Sequence, residues 1–172
     1  KPSDLNSNEY APYFLTYISQ VSDEYTLIEE LEISVHRLIK FVQNIPMDKF
    51  DYRYAEGKWT IKDILQHIID TERIFAYRAL RIARNDKTEM PGFDENEYAI
   101  EANGSSRSIQ SLLTELAVVR QGTLSLFKSL SNQEFVRIGT ASNNPVSVRA
   151  LGFMVIGHQN HHQRIFEERY LS

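Results

Sequence analysis

Apolar residues recur along this chain at alternating steps of three and four, the spacing that lines one side of an α-helix. Ile28, Leu31, Val35, Leu38 and Val42 form one such stripe and predict a helix from about Asp23 to Asn44, ended by Pro46. Ile61, Ile64, Leu65, Ile68, Phe75, Ala79 and Ile82 predict a second, from Thr60 to about Arg84, with Thr60 and Asp63 in the arrangement of a capping box. Ile109, Leu112, Leu116, Val119, Thr123, Phe127 and Leu130 predict a third, with Ser105 or Ser106 as its cap. Leu151, Met154, Val155, Ile165 and Phe166 predict a fourth, capped by Ser147 and running to about Tyr170. A short aromatic-rich helix, Tyr10 to about Gln20 with Pro12 in its first turn, precedes them. No segment shows the alternation of a strand, and no repeat is present. The pattern therefore predicts one all-α domain over 1–172, a four-helix bundle of up-down or crossover type with an extra N-terminal helix. The connection between the second and third bundle helices is long for a compact domain, and it reads as a solvated lid with a helical turn around Asp94 to Glu101.

Composition narrows the function more than the fold. With 42% apolar and 24% charged residues in 172, the chain has the make-up of an ordinary globular domain. Its net charge of −4 argues against a nucleic-acid partner, which would call for a basic face. Arg78, Arg81 and Arg84 suit the negative end of the second helix and read as a solvated face, and Glu115 and Arg120 read as surface charges unless the fold buries them, which sequence does not decide. There is no cysteine, so disulfides, thiolate ligands and a cysteine nucleophile are all excluded, and any thiol chemistry needs an external thiol. No apolar run reaches the roughly 18 residues of a membrane span. Lys1-Pro2-Ser3-Asp4 is unlike the start of a signal peptide, and a cytoplasmic protein without membrane contact is expected.

The chemistry concentrates in Gly157-His158-Gln159-Asn160-His161-His162, which holds three of the five histidines. His158 and His162 lie four residues apart, one helical turn, in the middle of the last apolar stripe; His161 is rotated by about 60° to one side. Burying two imidazoles on an apolar face is costly unless each finds a partner, and one shared metal ion serves both. A hydrogen-bonded structural pair is the alternative, and His158 with His161 is a less central ligand pair. A third ligand must come from another helix. His67 sits at the rim of the second stripe, about 80° from its centre, beside Asp63, Asp70, Thr71 and Arg78. His36, about 100° from the centre of its own stripe, reads as a solvated residue. His67, His158 and His162 together would offer three nitrogens and leave positions for water or substrate, a set suited to nickel, zinc, iron or manganese.

The stretch Gly57-Lys58-Trp59-Thr60-Ile61-Lys62-Asp63-Ile64-Leu65-Gln66-His67-Ile68-Ile69-Asp70-Thr71-Glu72-Arg73, followed far downstream by the histidine cluster, resembles the DinB-like superfamily. The resemblance extends over nearly the whole chain, through Met90-Pro91-Gly92-Phe93 to Glu168-Arg169-Tyr170-Leu171. Relatives in that superfamily include bacillithiol S-transferases and mycothiol-dependent maleylpyruvate isomerases. The resemblance implies a four-helix bundle, a homodimer, and a divalent metal, nickel or zinc first, held at the positions of His67, His158 and His162. It also implies a small-molecule substrate and a transferase that activates a low-molecular-weight thiol for attack on an electrophile. Asp63 or Asp70 would orient His67, and His161 would stand outside the ligand set. A metal-dependent hydrolase using the same ligands, and a stress-associated protein with a structural metal, are the competing readings.

Overall fold

Helix α2 (Leu27–Gln43) begins where Thr26 Oγ1 accepts the N–H of Glu29 and the Glu29 carboxylate accepts the N–H of Thr26. The same reciprocal cap, Thr60 with Asp63, starts α3 (Ile61–Ala83), the longest helix. Helix α5 (Ile109–Lys128) is capped by Ser108 and α7 (Val148–Ile165) by Ser147. The expected cap at Ser105 or Ser106 is thus displaced, because residues 104–106 form a 3₁₀ turn of their own that docks on α3. These four helices form the bundle in the computed structural model, which describes residues 1–172. The last turn of α7 widens into a π-type turn, Phe166–Tyr170. No helix is long and apolar enough to cross a membrane.

Around the bundle, α2 packs on α5 and α7, and α3 packs on the same two helices. Consecutive helices α2 and α3 therefore face each other across the diagonal, which makes this a crossover bundle. The predicted N-terminal helix is a 3₁₀ turn, Pro12–Phe14, leading into the single turn α1 (Leu15–Ile18), which packs on α7. The long connection holds α4 (Glu95–Ala102), capped by Asp94, where the helical turn is expected.

The connection before α7 departs from the all-helical expectation. After the short helix α6 (Asn132–Phe135), strands β1 (Ile138–Ala141) and β2 (Asn144–Ser147) pair antiparallel, with Gly139 opposite Val146. Their turn needs positive φ at both central residues, and Ser142 (51°) and Asn143 (60°) supply it without a glycine. Met90 joins the hairpin edge, its N–H bonding Thr140 O and its carbonyl accepting from Ser142 N–H. The lid is consequently tied at its start. Its end is tied by Gly104, where a Cβ would come within 2.9 Å of Gln66 Cβ and Lys62 O.

The core is divided. One apolar cluster fills the end of the bundle with Leu31, Phe75, Ala79, Phe127, Leu151 and Phe153; the other holds Leu38, Leu65, Ile69, Leu112, Leu116 and Phe166. Between them runs a buried polar layer with contributions from all four helices: Ser34, His67, Thr71, Glu72, Arg120, Thr123, His158, Gln159 and His162. Arg120, read from sequence as a surface charge, is 1% exposed and is the hub of this layer. Its Nε and Nη2 bond the two oxygens of Glu72 at 2.8 and 3.0 Å, Nη1 bonds Leu31 O and Ser34 Oγ, and Nη2 also bonds Gln159 Oε1. All five guanidinium N–H groups have acceptors. Thr123 donates to Glu72, and Gln159 donates to Ser34 O, which closes the network.

Removing one partner of a sealed ion pair leaves a buried charge uncompensated, a loss of about 3–5 kcal/mol. Glu72→Leu is expected to lower unfolding free energy by that order, seen as a lower urea midpoint. The double change Glu72→Leu with Arg120→Met should lose less than the two single losses added together. A Glu72→Leu midpoint equal to that of the parent protein would refute the structural role of the pair.

Candidate metal centre

Helix α7 brings His158 and His162 to the side of the polar layer that faces α3, and α3 presents His67 to them. Two close approaches hold this arrangement. Gly157 touches the backbone of Tyr17, where a Cβ would fall 2.2 Å from Tyr17 O, so only glycine lets the N-terminal segment lie against α7 here. The Tyr17 ring then stands edge-on to His158 at 5.4 Å, with Phe75 at 6.3 Å. Trp59, just before the α3 cap, covers His67 at 5.0 Å.

The three Nε2 atoms converge. His158 Nε2 lies 2.9 Å from His67 Nε2 and 3.1 Å from His162 Nε2, with His67, His158 and His162 only 6%, 4% and 9% exposed. Burial pushes all three imidazoles toward the neutral form: His67 to about 4, and His158 and His162 well below the usual histidine value. A neutral ring nitrogen carries either one N–H or one in-plane lone pair, so His158 Nε2 can complete one good hydrogen bond but not two. Hydrogen bonding alone therefore leaves one contact unsatisfied. A divalent cation would accept all three lone pairs at once, and the three ligand atoms lie within 4.8 Å of one another, close enough to share one ion. The donor set fits a metal. In that tautomer each Nδ1 carries the proton, and His67 Nδ1 lies 3.4 Å from Thr71 Oγ1, one turn along α3. His162 Nδ1 is buried without a partner.

On one side the triad opens to a cavity of about 260 Å³ lined by Tyr54, Lys58, Trp59, Glu95, Asn96 and His162, among others. Glu95, the first residue of α4, places Oε2 3.9 Å from His67 Nε2 while its side chain remains 59% exposed. Sequence reasoning missed this carboxylate, since nothing in the acid-rich lid separates Glu95 from Asp94, Glu97 or Glu101.

Of the residues singled out in the sequence, His67, His158 and His162 come together. His36 is exposed on α2. His161 stands apart, half-buried with its ring against Tyr17 and Nδ1 3.5 Å from Gln20 Nε2. The expectation that Asp63 or Asp70 orients His67 is overturned. Asp63 is used by the backbone, accepting from Thr60 N–H and Ser105 N–H, and Asp70 accepts from Gln66. Thr71 takes the place beside His67, because a spacing of four residues sets it directly over the imidazole.

Four similarities to known proteins are found. The family model for the DinB superfamily matches residues 30–166. A protein of Oceanobacillus iheyensis named "putative metal-dependent hydrolase" is 24% identical over 147 residues, covering 83% of this chain and 82% of its own. One of Bacillus cereus with the same description is 23% identical over 165 residues, covering 92% of each. Among solved structures, YfiT from Bacillus subtilis, described as a probable metal-dependent hydrolase with an unusual four-helix bundle topology, superposes with a TM-score of 0.72. That match has 18% identity and covers 93% of this chain and 91% of YfiT, a likeness of fold.

Two outcomes are expected of the isolated site. On titration with zinc or nickel followed by calorimetry, the parent chain and His161→Ala should bind one ion, and His158→Ala none. Equal stoichiometry in His158→Ala would overturn the assignment. In chelator-treated protein, a histidine of the unfolded chain takes its proton near 6.5, whereas folded His67 resists it to about 4. The unfolded state binds more protons in that window, so stability is full above pH 6.5 and falls toward pH 4. The slope is about 1.4 kcal/mol per pH unit for each such histidine. Urea unfolding at pH 7.5, 6 and 5 should show this slope, and His67→Gln should flatten it.

Proposed function

The chain belongs to the DinB superfamily, and from that membership and its three converging imidazoles we propose a divalent-metal-dependent enzyme that activates a small nucleophile beside His67. The observation that carries this reading is the set of three buried Nε2 atoms with a carboxylate, Glu95, next to them on the side that opens to a cavity. A purely structural ion is the weaker reading, since structural zinc is usually closed by four protein ligands and here His161 is turned away.

In this reading His67, His158 and His162 hold the ion, nickel or zinc before iron or manganese. When bound, a divalent ion supplies Lewis acidity, lowering the pKa of a water or thiol and polarising an electrophilic carbonyl or similar group. The residues of the chain do the rest. Thr71 fixes the orientation of the His67 ring. Glu95, exposed and lining the cavity, accepts the proton released by the nucleophile. Tyr54, Trp59 and Tyr170 give the cavity aromatic walls for the apolar part of a small substrate, and Lys58, which has no carboxylate partner, meets an anionic oxygen of it.

Water as the nucleophile makes the enzyme a hydrolase, in agreement with the descriptions of the relatives. An external low-molecular-weight thiol makes it an S-transferase, a reading favoured by the absence of cysteine from the chain. A panel of activated esters and alkyl or aryl halides, assayed on the metal-loaded protein with and without a small thiol, distinguishes them. Turnover without thiol establishes the hydrolase; product only with thiol establishes the transferase; no turnover in either arm refutes both. Glu95→Gln is expected to lower kcat by about 10²–10⁴ while metal stoichiometry stays at one ion. An unchanged kcat would remove Glu95 from the mechanism.

A further inference from the structure

The protein has two arginines whose side chains are buried, Arg120 and Arg78, and they are treated differently. Arg120 has a carboxylate and a full set of acceptors. Arg78, 5% exposed, forms no ion pair at all. Its Nη2 donates to Pro91 O at 2.9 Å and to Ser142 Oγ at 3.2 Å, and neither Nε nor Nη1 donates to any protein acceptor. The Arg78 guanidinium is only partly withdrawn from water, and with no carboxylate beside it, its Nε and Nη1 remain free to meet an anion. Burial already acts against its charged form.

The surroundings of Arg78 indicate what would pair with it. It lines a cavity of about 480 Å³ between α3 and the lid, within the size range of small-molecule sites. Two further arginines, Arg73 and Arg81, line this cavity, and no acidic residue does, in a chain whose net charge is −4. Arg73 and Arg81 are each engaged by an acid outside it, Glu115 and Asp86. The remaining walls are apolar, with Phe93 6.0 Å from the Arg78 guanidinium and Tyr98 stacked at a tilt beside Phe93. Arg78 lies eleven residues beyond His67 on α3, about 16 Å along the axis, so this cavity is separate from the triad.

We propose that this cavity is a second small-molecule site, in which Arg78 binds the carboxylate of a ligand whose aromatic or apolar body lies against Phe93 and Tyr98. The unpaired cation supplies the affinity for the anion, and the flanking rings select a flat apolar body over inorganic anions. The site stands independently of the metal chemistry, since it shares no residue with the triad.

The test uses 4-fluorobenzoate and its neutral analogue 4-fluorobenzyl alcohol with the full chain, followed by ¹⁹F line broadening and by the Arg78 Nε–H signal in a ¹H–¹⁵N spectrum. The Arg78 signal is assigned in the parent chain by through-bond correlation of its Nε–H to its own backbone amide. The expected result is saturable binding of the benzoate with a shift of that signal, and binding of the alcohol weaker by about 10- to 100-fold, the value of a charge-assisted hydrogen bond. Arg78→Gln should weaken benzoate binding by the same factor, and Arg78→Lys by less. Arg78 also clips the lid to the hairpin, so the variants are compared only when their circular dichroism and metal stoichiometry match the parent. If they do not fold, the Nε–H shift in the parent chain decides. An unshifted Nε–H signal, or equal binding of the alcohol and the benzoate, would overturn the proposal.

Discussion

A guanidinium sealed inside a bundle must give every N–H an acceptor, and Arg120 can do so only when four helices stand in one particular register. It takes acceptors from α2, α3 and α7 while projecting from α5. Sliding or rotating any one of these helices would strand a buried charge, which costs more than the loss of any single apolar contact. The apolar stripes above and below are more permissive, because Leu and Ile side chains can repack with modest loss. The polar layer is thus the element that selects one arrangement among the several a four-helix pattern allows.

The histidine triad occupies the same layer on its other side. His67 lies five residues before Glu72, and His158 adjoins Gln159, so the contacts that satisfy Arg120 also set where the three imidazoles meet. Burial keeps those rings neutral, and their Nε2 atoms are turned toward one another. Glu95 and the aromatic wall enter from outside this layer, on the lid, on the segment before α3 and on the turn after α7. The histidines thus come from helices and the flanking polar and aromatic groups mainly from connections, where binding groups are commonly placed.

The lid has two anchors with different chemistry. Its start is held by Met90 on the hairpin and by Arg78 on the Pro91 carbonyl, and its end by Asp63 on the Ser105 N–H. Glu95 is carried between these points. Its distance from His67 therefore depends on both ends of a connection whose helix α4 and 104–106 turn pack on α3.

The sequence by itself determined the four bundle helices, the caps Thr60 and Ser147 and the inward direction of His158 and His162. Each of these follows from local spacing: period 3.6 places residues on a face, and a Thr or Ser hydroxyl reaches an N–H three residues on. The hairpin escaped such reading because four-residue strands carry almost no alternation and the turn has Ser142 and Asn143 where glycine would have signalled it. Which helices are neighbours, and hence that Arg120 meets Glu72, that Thr71 rather than Asp63 or Asp70 attends His67, that Glu95 reaches the triad and that Arg78 lacks a counter-ion, was decided only in the tertiary structure. Charges separated by tens of residues acquire partners through helix stacking, and a lone residue type in a sequence carries no record of what is packed against it.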